Sequence, residues 1–223
     1  MAGTHLINMN KIKILILIYL LLNSTYSFSQ NRNNKNFNQF YEDNKTKEIE
    51  GTLTDNGREG IWNWYFRDGR IGQSGKYVND RKEGIWKEFY ENGKLLSVKK
   101  YKEGLIVGKS MSYFETGELR SETEYKNGFK NGNSIVYYKN GYIQQKLFYR
   151  NGKPMGNFIS FFEDRSIALT GQYNENGEEI GLWKFYRTDK TINQTIEYLS
   201  QNEYIETNFD NSGNITEIKK HKN

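Results

Sequence analysis

Cysteine is absent from all 223 residues, which removes disulfides, thiolate metal sites, thiol nucleophiles and a lipid-modified N-terminal cysteine. Histidine is nearly absent: there are two, and only His221 lies outside the N-terminal leader discussed below. A Ser-His-Asp relay or a histidine-based metal site therefore has no residues to be built from. Proline occurs once. Aliphatic mass is scarce, with a mean hydropathy of −0.89 and 35% hydrophobic residues, so no large Leu/Ile/Val core can form. Charge is not one-sided either. The net value is +5, and lysines alternate with glutamates, unlike the one-faced basic footprint of a nucleic-acid binder.

What the chain has instead is glycine and aromatic rings: Gly 21, Tyr 17 and Phe 13. Such a composition buries rings in a thin structure, joined by turns that need φ > 0. The glycines are periodic. Gly60, Gly84, Gly108, Gly132, Gly156 and Gly181 are spaced by 24 residues four times and then by 25. Counting each of these as zero, position +5 is Tyr65, Phe89, Tyr113, Tyr137 and Phe161. Position +6 is Phe66, Tyr90, Phe114, Tyr138 and Phe162, and position +17 is Tyr77, Tyr101, Tyr125, Tyr149 and Tyr173. A fixed period of this size means a repeat architecture. The sixth copy drifts, Gly51–Glu59 matches the second half of a unit, and Asn208–Glu217 reads as a degenerate closing hairpin. Irregular ends are expected where terminal repeats face water.

Each unit predicts two short strands around a two-residue turn such as Asp68-Gly69, Asn92-Gly93 or Asn140-Gly141. No room remains for a helix. The fold class is all-β: an elongated, curved antiparallel meander of stacked hairpins with a 24-residue period and about a dozen strands. The turn sets a register in which Phe66 faces Ile71, Trp62 faces Gly75 and Gly60 faces Tyr77. One sheet face then holds Trp62, Trp64, Phe66, Ile71 and Tyr77, with a Tyr ring over the opening Gly in each of the first five units, Trp62 over Gly75 and Phe158 over Gly171. The tryptophans read as core. The +5 residues Tyr65, Phe89, Tyr113, Tyr137 and Phe161 form a ladder on the opposite, more polar face. That ladder is the candidate binding face. The alternative is that the sheet closes partly on itself and buries those rings as well.

At the N-terminus, Lys11 and Lys13 precede the apolar run Ile14–Leu22, and Ser27-Phe28-Ser29-Gln30 follows. This is the pattern of a secretory signal over residues 1–29, cleaved after Ser29, with Met9 as an alternative start. The alternative is an uncleaved anchor helix, for which the run is short. Residues 30–47, rich in Asn and Lys, read as a flexible spacer, and 48–223 as the repeat domain. Removing Lys11 and Lys13 with the leader leaves a net charge of +3. Export places the protein in the periplasm, at the cell surface or outside the cell.

The unit G-x-W-x-x-[FY]-[FY]-x-x-G-x-L…Y-x-N-G, as in Gly84–Gly104, resembles the bacterial variant of the MORN repeat over about Gly51–Tyr198. The resemblance implies an elongated sheet of stacked hairpins with no catalytic residues of its own. Many bacterial members carry an antitoxin label, and eukaryotic relatives are associated with membrane junctions, lipid binding and protein scaffolding.

Catalytic and ligand motifs are near misses. Gly104–Ser110 has three residues between its glycines where a phosphate loop needs four, and no helix pattern follows. Asn208–Gly213 has the start of a calcium loop, but its twelfth position is Lys219. Glu118, Glu122, Glu124, Glu175, Glu178 and Glu179 are the carboxylates a glycosidase-type pair would draw on, and they fall at turns and outward faces. The sequence thus reads as a non-enzymatic protein without cofactor or metal. It is expected to bind a protein partner, with a glycan or lipid surface as a further option and no nucleic acid. The alternative function is an antitoxin or immunity-type protein that neutralises a toxin by binding it. The strand edges near Gly51 and Ile215 are open to pairing between chains.

Overall fold

The computed structural model describes residues 34–222. The leader and the first residues of the expected spacer lie outside them. Within them the chain is β1 (Lys35–Phe40), β2 (Lys47–Thr54), β3 (Gly57–Tyr65), β4 (Ile71–Val78), β5 (Arg81–Phe89) and β6 (Leu95–Lys102). Then come β7 (Leu105–Ile106), β8 (Gly108–Tyr113), β9 (Leu119–Lys126), β10 (Phe129–Tyr137), β11 (Ile143–Arg150) and β12 (Lys153–Phe161). The series ends with β13 (Ile167–Tyr173), β14 (Glu179–Tyr186), β15 (Ile192–Ser200), β16 (Glu203–Phe209) and β17 (Ile215–Lys222). Strands pair antiparallel with their chain neighbours, and β6 pairs with both β7 and β8, which act as one rank broken at Val107. The result is a single open meander, all-β as expected. Among the described residues no ladder joins β1 to β17.

Part of the stretch read as spacer is strand. β1 pairs with β2 in the register Phe37↔Gly51, and Phe37 stacks on Trp62 at 5.3 Å. The Asn-rich composition hid one ring at the right spacing. The closing hairpin is present as β16 and β17.

The turns differ from expectation at one edge. The Phe66 amide donates to the Arg70 carbonyl at 2.8 Å and the Gly69 amide to the Phe66 carbonyl at 2.9 Å. In that turn Gly69 alone has positive φ, at 84°. This is a type I turn closed by a glycine bulge, not a two-residue turn. The extra residue makes Tyr65, not Phe66, the partner of Ile71. Ile71 is correspondingly exposed rather than core. Two-residue turns with both φ positive do occur, at the other edge: Asn79-Asp80, Glu103-Gly104, Asn127-Gly128 and Asn151-Gly152.

The pairings Gly60↔Tyr77 and Trp62↔Gly75 are as expected, but the rings lean elsewhere. Between hairpins a recurrent bulge sets one residue opposite three. Glu50 and Thr52 pair with Asn63 and Glu59, so Gly51 alone faces Gly60, Ile61 and Trp62. The same happens at Gly75 against Gly84–Trp86 and at Gly171 against Gly181–Trp183. The bulge folds the indole over the preceding strand. A Cβ on Gly51 would overlap Trp62, one on Gly75 would overlap Trp86, and one on Gly171 would overlap Trp183. The opening glycines have no ring over them, since a Cβ on Gly60 or Gly84 would meet nothing within 4 Å. They recur because their φ values, 71° and 70°, favour glycine.

On this tryptophan face Trp62, Tyr77 and Trp86 are almost fully buried, packed by Phe37, Ile49, Leu53, Trp64 and Tyr101. Tyr77 meets Trp86 edge-on at 4.9 Å. Each such ring removes on the order of 200 Å² from water, several kcal/mol at about 25 cal/mol/Å². A second cluster forms from Phe158, Tyr173 and Trp183, with Tyr173 and Trp183 at 5.1 Å. Between the clusters the same face is hydroxyl-rich: Ser112 bonds Ser121 at 2.6 Å and Thr123 bonds Ser134 at 2.9 Å.

The long-turn edge has its own fastening. Tyr41 donates its hydroxyl to the Tyr65 carbonyl at 2.5 Å, Tyr90 to that of Tyr113 at 2.8 Å, and Tyr138 to that of Phe161 at 2.8 Å. The Arg187 guanidinium donates to the Phe209 carbonyl at the same edge. Phe66, Phe114 and Phe162 stand between these donors and cannot donate. Each donor hairpin is thus clamped to the hairpin that follows it.

Candidate binding face

Cross-strand partners share a face. Following the register, Tyr65 lies with Asn63, Glu50 and Ser74, Phe89 with Lys87 and Val98, and Tyr113 with Met111. Tyr137 lies with Ile135 and Glu122, and Phe161 with Ile159 and Lys146. All five are opposite the tryptophans, and all five are half-buried. They are two ranks apart, about 9.6 Å from strand spacing, so they form a row rather than a cluster.

The tyrosines of the row are tied to neighbours. Tyr65 donates its phenol to the Glu50 carboxylate, which also takes Lys47 at 2.8 Å and the Asn63 amide at 3.1 Å. Those donors, Lys47 first, hold Glu50 down at about 2. Burial, then the Glu50 charge, pushes Tyr65 up to about 12. Tyr137 donates to Glu122 at 2.9 Å, and Glu122 also takes Lys109 at 2.8 Å. Glu122 is held below the usual carboxylate range, first by Lys109 and then by Tyr137. The Tyr113 hydroxyl reaches the Met111 sulfur at 3.6 Å. Phe89 and Phe161 are the members with no hydroxyl to tie down. Phe161 also lines a shallow cleft of about 310 Å³ with Tyr142 and Arg165. The Arg165 guanidinium lies over the Tyr142 ring at 4.8 Å.

The other sequence candidates stay apart. Glu122 and Glu124 share a face, yet Glu124 accepts the Asn133 amide at 3.1 Å while Glu122 is engaged as above. Glu178 bonds Gln201, Glu179 bonds Tyr198, and Glu118 and Glu175 are exposed at turns. Gly104–Ser110 is a turn followed by strand. Asp210 accepts the Ser212 and Asn214 amides at 2.9 and 2.8 Å, an ordinary Asx turn.

Ile61 and Ile85 lie on this face as well. The register sets them in a second row with lysines: Ile61 pairs with Lys76 and Ile85 with Lys100. Ile61 is 58% exposed and Ile85 51%. The signal was present at position +1, one residue after each opening glycine, and needed the partner strand to be read.

The fold and this face define a class: an open sheet of stacked hairpin repeats that displays rows of side chains. The family model described as MORN repeat variant matches residues 82–103, 106–127 and 130–151. These are three consecutive repeats, spanning β5 to β11, and the resemblance seen in the sequence is to this family. No curated protein matches the chain.

Proposed function

We propose that the protein is an exported, non-catalytic scaffold that binds a protein partner across the ladder face. The observation that carries this reading is the row Tyr65, Phe89, Tyr113, Tyr137 and Phe161, repeated on the face that the tryptophan core does not use. The nearby exposed Ile61, Ile85 and Leu182 add apolar area to the same face. The leader pattern supports export. Affinity capture with the chain lacking residues 1–29 tests the binding, against a variant with Ala at Tyr65, Phe89 and Tyr113 whose melting curve shows that it folds. Loss of partners from the variant is expected, and equal capture by both overturns the reading. Fractionation tests export: an intact, uncleaved cytoplasmic chain overturns it.

A second reading is a toxin-neutralising protein, favoured by the match to MORN variant repeats, many of whose bacterial members carry an antitoxin label. A neighbouring toxin gene whose product the protein binds distinguishes it.

A further inference from the structure

Resting on the scaffold reading, the geometry points to one kind of partner. Ile61 pairs with Lys76 across β3 and β4, and Ile85 with Lys100 across β5 and β6. Between the two pairs the bulge at Gly75 sets Lys76 opposite Glu83, so the row Ile61, Lys76, Ile85, Lys100 steps along the sheet there while alternating apolar with cationic once per strand. All four side chains are exposed. Lys87, one position along on the same face, adds a third cation beside Phe89. None of Lys76, Lys87 and Lys100 makes an ion pair with a described residue. Glu50 is committed to Lys47 and Tyr65, and Glu83, across from Lys76, keeps its charge and accepts the Glu103 amide at 2.9 Å without an ion pair to Lys76. The sheet thus presents a lysine without an ion pair at every second strand, with an exposed isoleucine between.

Strands are about 4.8 Å apart, so the two row lysines are about 9.6 Å apart. A helix laid across the strands rises about 5.4 Å per turn and brings residues i and i+7 onto one stripe about 10.5 Å apart. The mismatch over four strands is about 2 Å, within the reach of a lysine stem. We propose that this row docks an amphipathic helix of a protein partner, with acidic residues near i and i+7 and apolar residues near i+4 and i+11. Acids then meet Lys76 and Lys100, and apolar residues meet Ile61 and Ile85. An unordered polyanion or a lipid surface would use the lysines but would not need the alternation.

The test uses the full chain and a synthetic helix of about five turns with Glu and Leu alternating in that order along one stripe. A second peptide has the same composition with its glutamates grouped at one end. A third probe is anionic phospholipid vesicles. Saturable binding of the alternating peptide is expected by fluorescence anisotropy, about tenfold tighter than the grouped one. The variant Lys76→Glu/Lys100→Glu should bind at least about tenfold more weakly, and Ile61→Ser/Ile85→Ser should weaken it as well. Because these side chains are exposed, melting curves should stay unchanged. The proposal is overturned if both peptides bind alike, if vesicles compete as well as the alternating peptide, or if the lysine reversal leaves binding intact. When the natural partner is captured, loss through the ladder variant but not the lysine variant overturns the helix proposal and leaves the scaffold reading standing.

Discussion

Glu50 shows how much one residue of this face is asked to hold. It accepts from Lys47, Asn63 and Tyr65, and is depressed to about 2. A depressed carboxylate stabilises the fold above its unfolded value near 4.5 and loses that contribution as pH falls toward 2. Tyr65, raised to about 12, has the opposite sign: its contribution is whole below 10 and is lost as pH rises through 12. The pair therefore weakens at both extremes. The Glu50→Gln variant should lose roughly 0.5–1 kcal/mol at neutral pH, an amount set by solvent screening, and show a shallower acid limb in thermal melts. By absorbance its Tyr65 should titrate below the native 12 but still above 10, since burial is the larger cause. An unchanged acid limb would show that the contact is worthless to stability. Tyr65 was legible in the sequence as a ladder position. Glu50 was not, because it sits in the half-unit before the first opening glycine, where no repeat marks it.

At the scale of the strand, two glycines on neighbouring strands do different work. Gly84 needs its φ of 70° and has empty space where a Cβ would go. Gly75 has ordinary φ but lies under the Trp86 ring. Gly84→Ala should cost about 1 kcal/mol from backbone strain alone. Gly75→Ala should cost about 1–3 kcal/mol by overpacking. Only the second should couple to Trp86→Leu, with the double variant losing less than the sum in urea denaturation. Equal, uncoupled losses would sink this assignment. The sequence made the pairing of Trp62 with Gly75 legible, since turn and period fix it. It could not show that Trp62 lies on Gly51 instead, because the bulge arises between hairpins and a hairpin-by-hairpin reading does not see it. The ladder survived this error because the bulge preserves which face a residue takes.

Across the whole molecule the rings gather at the two ends, around Trp86 and around Trp183, with Ser112, Ser121, Thr123 and Ser134 between them. In a one-dimensional array stability is a sum of neighbour terms, and the hydroxyl-rich stretch supplies the weakest. Hydrogen exchange should show two protected blocks, β2–β6 and β12–β15, with faster exchange over β8–β10. Uniform protection would contradict it. The repeat count and the meander were readable from glycine spacing, whereas β1 was masked by its Asn-rich composition. The fastening at the long-turn edge adds a consequence of its own. Tyr41, Tyr90, Tyr138 and Arg187 donate, while Phe66, Phe114 and Phe162 between them do not. The chain therefore has a reading frame of two hairpins, not one. Duplicating a single unit would put two donors, or two rings without a hydroxyl, side by side and break the alternation. Growth by pairs preserves the alternation, so that clamped and unclamped hairpin junctions continue to follow one another along the edge.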